Sequence, residues 1–105
     1  MRRVLPQRRK AVTQNFTARG RRYSASLGYY PDGRLGEVFL YSGKSGTDAT
    51  IAAMEAAIAT IFALQFGATV EAMRAAMPRD ETGKAEGPLG CLLDLLTDAR
   101  RARHE

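Results

Sequence analysis

Residues 35–48 read Leu35-Gly36-Glu37-Val38-Phe39-Leu40-Tyr41-Ser42-Gly43-Lys44-Ser45-Gly46-Thr47-Asp48. The first half of this segment is a run of apolar and aromatic residues that is typical of a strand, and the second half is a glycine-rich loop. Thr47 or Asp48 can then cap a helix, because a short side-chain oxygen accepts a hydrogen bond from a backbone N–H of the first turn. The segment therefore predicts a strand, a tight loop and a helix in direct succession.

Two further strands are predicted before this segment. Residues 12–19 alternate weakly between apolar and polar side chains, and residues 23–29 alternate clearly, which is typical of a half-buried strand. Gly20 and the Pro-Asp-Gly sequence at 31–33 provide the turns. Because short connections make neighbouring strands antiparallel, residues 12–41 should form a three-stranded meander.

One long and two shorter helices are predicted after this segment, which gives an α+β fold. The first helix runs from residue 47 or 48 to about Phe66 and is apolar on nearly every side, so it should be buried on more than one face. Thr69 can cap a second helix that ends at Met77, and Pro88 can begin a third. Since a chain of 105 residues cannot easily cover such a helix, we expect a homodimer through residues 48–66.

The predicted domain spans residues 12–99, between a flexible basic arm at 1–11 and a charged tail at 100–105. The polar, glycine-containing stretch 79–87 is predicted to be a mobile loop. The net charge of +5 is concentrated at the N-terminus, where residues 1–22 contain no acid and eight basic groups: Arg2, Arg3, Arg8, Arg9, Lys10, Arg19, Arg21 and Arg22. Such an arm can attract a phosphate backbone through counterion release, or it can be a solubilising tail.

The sequence contains few side chains that are suited to catalysis or metal binding. One cysteine, Cys91, and one histidine, His104, cannot form an internal disulfide or a zinc site built from cysteine and histidine ligands. His104 lies next to the C-terminus, so no nucleophile has an obvious base. We therefore expect no catalytic site, no metal site and no cofactor.

The sequence also predicts a cytoplasmic protein without a membrane partner. The basic N-terminus is not followed by the apolar region of a secretory signal. The longest apolar stretch, residues 51–66, is interrupted by Glu55, Thr60 and Gln65, which falls short of the roughly 18 to 20 apolar residues of a membrane helix.

The loop formed by Gly43, Lys44, Ser45, Gly46 and Thr47 is the best candidate for a binding site. A loop between a strand and a helix start can present backbone N–H groups to an anion, and Lys44 adds a full positive charge. A nucleoside triphosphatase loop would need a glycine where Val38 stands, so that function is excluded. Contact with a phosphate-bearing ligand and a plain turn with a helix cap both remain open.

A second candidate surface lies where Arg19, Arg21 and Arg22 precede Tyr23. Aromatic rings beside positive charge can stack on the bases of a nucleic acid. The alternative is that the tyrosines pack in the sheet and reach solvent only with their hydroxyl groups. The first interpretation, together with the basic arm, would make the chain a small nucleic-acid-binding protein.

The run from Gly36 to Asp48 resembles the glycine–Glu–Val–Phe … Gly–Lys–x–Gly segment of TSCPD domains, which lie at the C-terminus of adenosylcobalamin-dependent (class II) ribonucleotide reductases. The helix at 57–67 and the segment 87–96 are also similar, so the resemblance covers roughly Tyr23 to Leu96. It implies a free-standing relative of an accessory domain of deoxyribonucleotide synthesis, and hence a link to DNA replication.

What this resemblance implies is an accessory or binding protein without catalysis of its own, whose partner is a reductase or another protein. Reductase-fused members carry cysteines around the first strands and in the motif that names the domain, whereas this chain retains only Cys91. A metal or thiol-exchange role of those cysteines therefore does not carry over. The second alternative that the resemblance leaves open is a subunit that completes a split reductase.

Overall fold

The computed structural model describes residues 1–43 and 46–104 of the chain. Three strands are followed by three helices: β1 Lys10–Ala18, β2 Arg21–Tyr29, β3 Leu35–Ser42, α1 Asp48–Gln65, α2 Val70–Ala76 and α3 Pro88–His104. The strands form one antiparallel sheet in the order β1-β2-β3. The predicted α+β class, the meander and the three helices are confirmed.

The core lies between one face of the sheet and helices α1 and α3. Leu27 of β2 lies opposite Val38 of β3, and both are almost completely buried. They pack with Ala57 of α1 and Leu92 of α3 in a single hydrophobic cluster. Alternation along the middle of β2 and of β3 places every second side chain in this core, which is the physical reason that β2 could be recognised in the sequence.

Helix α1 begins and ends as its sequence predicts. The Thr47 hydroxyl accepts a hydrogen bond from the Thr50 N–H at 3.2 Å, which is the geometry of a helix N-cap. Gly67 follows the helix at a φ of 106°, a conformation that glycine adopts at little cost. Alanines at positions 53 and 57 let the helix approach the sheet closely.

A single chain buries α1 along one face only, not on several faces as the sequence suggests. By length and composition α1 could cross a membrane, since its 18 residues have a mean hydropathy of 1.3. This is weak evidence for a span, because 39% of that window is buried inside the protein and core helices of soluble proteins meet the same criterion.

The first residues of the predicted arm contact the domain. The Arg3 N–H donates to the Gln65 carbonyl oxygen at 2.7 Å, and the Tyr30 hydroxyl donates to the carbonyl oxygen of Arg3. Leu5 is only 8% exposed. The sequence does not reveal this anchoring, because Leu5 is a single apolar residue among charged neighbours and the hydrogen bonds and ion pairs of the arm join residues far apart in the chain.

Two other predicted features also differ. The charged tail at 100–105 is helical through His104, because its arginines and alanine favour continuation of α3. The loop at 79–87 is an ordered turn, in which the Asp80 carboxylate accepts hydrogen bonds from the N–H groups of Thr82 and Lys84. A bridge between Arg79 and Ala85 closes this turn.

Candidate functional site

The described part of the Gly43–Thr47 loop forms a helix cap. Lys44 and Ser45, which carry the predicted charge and hydroxyl, lie outside the described residues. The Thr47 hydroxyl donates to Thr50 Oγ1 at 2.8 Å in addition to capping the helix, and the Thr50 hydroxyl also bonds that of Ser42. The hydroxyl groups around the start of α1 are therefore engaged with one another.

The first turn of α1 also contains an acidic residue. Asp48 follows the N-cap directly, where a negative charge interacts favourably with the positive end of the helix dipole. The same charge repels an incoming anion. Phosphate binding at this loop therefore stays a prediction that depends on Lys44 and the backbone N–H groups.

Some of the predicted basic residues are engaged in the structure. Arg9 pairs with Glu37 of β3 at 3.1 Å, and Arg3 pairs with Asp32 at 3.1 Å. The backbone N–H of Arg34, and after it the Arg3 guanidinium, lower the pKa of Asp32 below its usual value. These arginines hold the arm against the sheet and are less available to a nucleic acid than the sequence suggests.

The other predicted basic residues form two groups at opposite ends of the β1–β2 hairpin. Arg19 has a φ of 52° and Gly20 a φ of 76°, so a tight turn places Arg19 at the tip. Arg21 and Arg22 follow this turn, whereas Arg8 and Lys10 lie at the other end of the hairpin. Within the described ranges these residues form no ion pair: Arg8, Lys10, Arg19, Arg21 and Arg22.

Tyr23 does not offer a stacking surface. Its side chain is 6% exposed and stacks on Phe16, with 5.5 Å between the ring centroids. Tyr30 is 3% exposed and is held by its hydrogen bond to the arm. Tyr23 packs into the domain because alternation along β2 turns positions 23, 25 and 27 inward. Tyr23 is thus removed from the candidate nucleic-acid-binding residues.

The strongest electrostatic cluster was not recognised in the sequence, where Asp94 looks like part of a solvated helix face. Asp94 of α3 accepts hydrogen bonds from Arg74 Nε at 2.7 Å and from both terminal nitrogens of Arg79 at 2.8 and 2.9 Å. The hydrogen bonds from Arg79 and Arg74 lower the pKa of Asp94 to about 2, although burial of the carboxylate acts in the opposite direction. The three residues come from α2, the following turn and α3, so no local spacing could reveal them.

A groove of about 340 Å³ lies between the arm, β3 and α1. Val4, Phe39, Ile58 and Phe62 contribute apolar surface to its walls. In the described part of the chain, no group of three or more His, Cys, Asp or Glu side chains could hold a metal ion. The half-buried thiol of Cys91 faces the carbonyl oxygen of Ala85 at 3.6 Å.

Comparison with known proteins finds similarity to a segment of two ribonucleotide reductases. It is 36% identical over 67 residues to the vitamin B12-dependent ribonucleotide reductases of Bradyrhizobium diazoefficiens and Agrobacterium fabrum. The match covers 64% of this chain but only 5% of the length of each reductase. No protein-family model matches the chain, and no solved structure gives a significant match. A stretch of about two thirds of this chain is therefore related to a short segment of vitamin B12-dependent ribonucleotide reductase.

Proposed function

We propose that this chain is a small accessory protein of cytoplasmic ribonucleotide reduction that acts by binding a larger protein and is a member of the TSCPD group. The observation that carries the proposal is the 36% identity over 67 residues with a segment that makes up 5% of the reductases. A chain of 105 residues holds one domain, so the relationship concerns a module and not a whole reductase.

The contacts that the polar side chains make within the fold support a role without catalysis. Asp94 is held between two arginines, and with a pKa of about 2 it stays ionised near neutral pH, which makes it a poor proton carrier. Glu37 is paired with Arg9, and the Cys91 thiol contacts a backbone carbonyl. These contacts stabilise the fold and leave the groups less free to react.

The partner contact that we propose includes the loop Gly43–Thr47. The loop joins β3 to α1, and the open space around Gly43 leaves room for a ligand to approach the backbone. A phosphate group of the partner or of a shared ligand is the chemistry that Lys44 and the N–H groups near the start of α1 would favour.

The first prediction is that the purified chain binds a vitamin B12-dependent reductase from the same cell. We expect a dissociation constant on the order of micromolar, typical of a modest interface, measured by titration calorimetry with the full-length reductase. The chain with added cobalamin should not reduce ribonucleotides by itself. Lys44→Glu should weaken binding if the loop takes part, whereas Glu81→Lys, in the exposed turn after α2, serves as the control.

Three results of this experiment would change the proposal. A failure to bind any such reductase would contradict it, as would ribonucleotide reduction by the chain alone. If instead a larger reductase protein is inactive until the chain is added, the chain is a subunit of a split enzyme. In that third case the chain would be a required subunit of the catalytic enzyme and not an accessory protein.

A second candidate function, nucleic-acid binding, is favoured by one specific observation. Arg8, Lys10, Arg19, Arg21 and Arg22 have no ion-pair partner within residues 1–43 and 46–100. They lie at the two ends of a hairpin whose strands each have nine residues, so the two groups are roughly 30 Å apart at about 3.4 Å per residue. Phosphates along one nucleic-acid strand can contact both groups.

For this second candidate we predict that binding to duplex DNA in a gel-shift assay falls steeply with salt. Each phosphate contact contributes a slope of about −0.9 in log K against log salt concentration, so Arg19→Ala/Arg22→Ala should lower the slope by up to about 2. Point substitutions are a cleaner test than removal of the arm, since Leu5 is part of the core. A slope near zero for the unmodified chain would exclude this function.

A further inference from the structure

Helix α1 exposes a continuous apolar face on the side away from the core. Ile51, Met54, Ile58 and Phe62 recur every three or four residues and are 46%, 43%, 49% and 47% exposed. Phe66, just after the helix, is 61% exposed. We call these five residues the outer face of α1. Apolar residues in such a contiguous row are unusual on a monomeric protein and mark an interaction surface.

The outer face of α1 supplies about half of the area that one partner contributes to a standard interface. Half-exposed aliphatic and aromatic side chains each leave roughly 80–120 Å² in contact with water, so the outer face of α1 offers on the order of 450 Å². Val4, which is 67% exposed, and Phe39 adjoin it across the groove beside β3. With the surrounding rim, the surface approaches the roughly 800 Å² per partner of a standard interface.

We propose that the outer face of α1 binds the same face of a second copy of this chain, with the two helices antiparallel about a two-fold axis near Ile58. In such an arrangement Ile58 meets Ile58 of the second copy, and Met54 meets Phe62. A closed dimer of this kind is self-complementary, so both apolar faces are covered completely and no unpaired face remains.

The charges that border this face favour a second copy over an unrelated protein. Glu55 is exposed and has no ion pair within the part of the chain that the structure describes. Arg2 lies over the Phe62 ring, with 4.4 Å between the guanidinium carbon and the ring centroid, and bonds Gln65, but it contacts no described carboxylate. Glu55 lies one turn before Ile58 in the helix. Arg2 lies beside Phe62, which is one turn after Ile58.

The two-fold axis brings these opposite charges together twice. Because positions before Ile58 face positions after it, Glu55 of one copy lies opposite the turn of the other copy that contains Ile61 and Phe62, and Arg2 is held beside that turn. A parallel arrangement would instead place Glu55 against Glu55. The described part of α1 carries acids but no base, so the arm supplies the positive charge that antiparallel packing needs.

The experiment is sedimentation equilibrium of the full chain over a range of concentrations. We expect a mass of twice 11.5 kDa at micromolar concentration and above. Ile58→Glu should raise the dissociation constant of the dimer by roughly 100-fold, because it places two like charges at the centre of the interface. Ala52→Glu, at an exposed position on another side of the same helix, should leave the dimer unchanged.

A charge exchange tests the orientation of the helices. Glu55→Arg alone and Arg2→Glu alone should each weaken the dimer roughly tenfold, and the double exchange should restore it. Circular dichroism checks that each variant is folded. A chain that stays monomeric, a dimer that Ile58→Glu does not weaken, or an outer face protected only by a reductase would each overturn the proposal.

Discussion

Gly36→Ala should destabilise the protein by about 2–3 kcal/mol, which is the cost of forcing a methyl group into a closely packed site. A Cβ atom at this position would lie 2.5 Å from Tyr30 Cε2 and 3.1 Å from Leu5 Cδ1. The Tyr30 ring is 3% exposed and its hydroxyl is bonded to Arg3, so the ring cannot turn away into solvent. The strain should therefore pass to the N-terminal arm.

Urea unfolding at neutral pH measures the first part of this prediction, and hydrogen exchange at the N–H of Arg3 measures the second. We expect the Arg3 N–H, which donates to Gln65, to lose protection in Gly36→Ala. Gly43→Ala is the control, because a Cβ at that position would have no neighbour within 4 Å. If both variants unfold at the same urea concentration, the close packing around Tyr30 is not what secures the arm.

Asp94→Asn should cost about 2 kcal/mol at neutral pH. The substitution removes the carboxylate that joins Arg74 of α2, Arg79 of the turn and α3, and it leaves two partly buried guanidinium groups without their counter-charge. Depression of the Asp94 pKa from 3.8 to about 2 corresponds to roughly 2 kcal/mol, at about 1.36 kcal/mol per pKa unit. The side chain is 24% exposed, so solvent reduces this stabilisation only in part.

The pH dependence of the free energy of unfolding shows whether the ionised Asp94 carboxylate stabilises the fold. The Asp94 pKa is lower in the folded than in the unfolded protein, so its stabilisation is complete above about pH 4 and is lost as the pH falls toward 2. Between pH 5 and 2 the free energy of unfolding of Asp94→Asn should therefore decrease less than that of the unmodified protein.

Asp98→Asn provides the comparison on the same helix, since Asp98 is exposed. It should change stability by less than about 0.5 kcal/mol and keep the acid sensitivity of the unmodified protein. Equal acid profiles for the unmodified protein and Asp94→Asn would refute the assigned role of the cluster.

The predicted fold was correct where local pattern and tertiary packing agree. Period-two alternation in β2, the Pro-Asp-Gly turn and the Thr47 cap each depend on neighbouring residues, so they can be read from one segment at a time. For Tyr23 the sequence leaves open an exposed stacking ring and a ring packed in the sheet, and the structure shows the packed ring, which is 6% exposed.

The arm and the Asp94 cluster could not be found in this way. Leu5 is one apolar residue among charged neighbours, and its burial depends on the space that Gly36 leaves beside Tyr30. Arg74 and Arg79 lie 20 and 15 positions from Asp94, on separate elements that only folding brings together. Neither contact has a fixed spacing that a pattern could express.

The sequence by itself determined the order and type of the six elements and the relationship to a reductase segment, because propensity, alternation and residue identity are properties of short stretches. Only the tertiary structure decided which charges are paired, which tyrosines are buried and which side of α1 stays uncovered. Those outcomes depend on distances between residues far apart in the chain, and a three-stranded sheet can cover only one face of an 18-residue helix. The apolar face that remains on α1 is the feature from which a second copy is inferred.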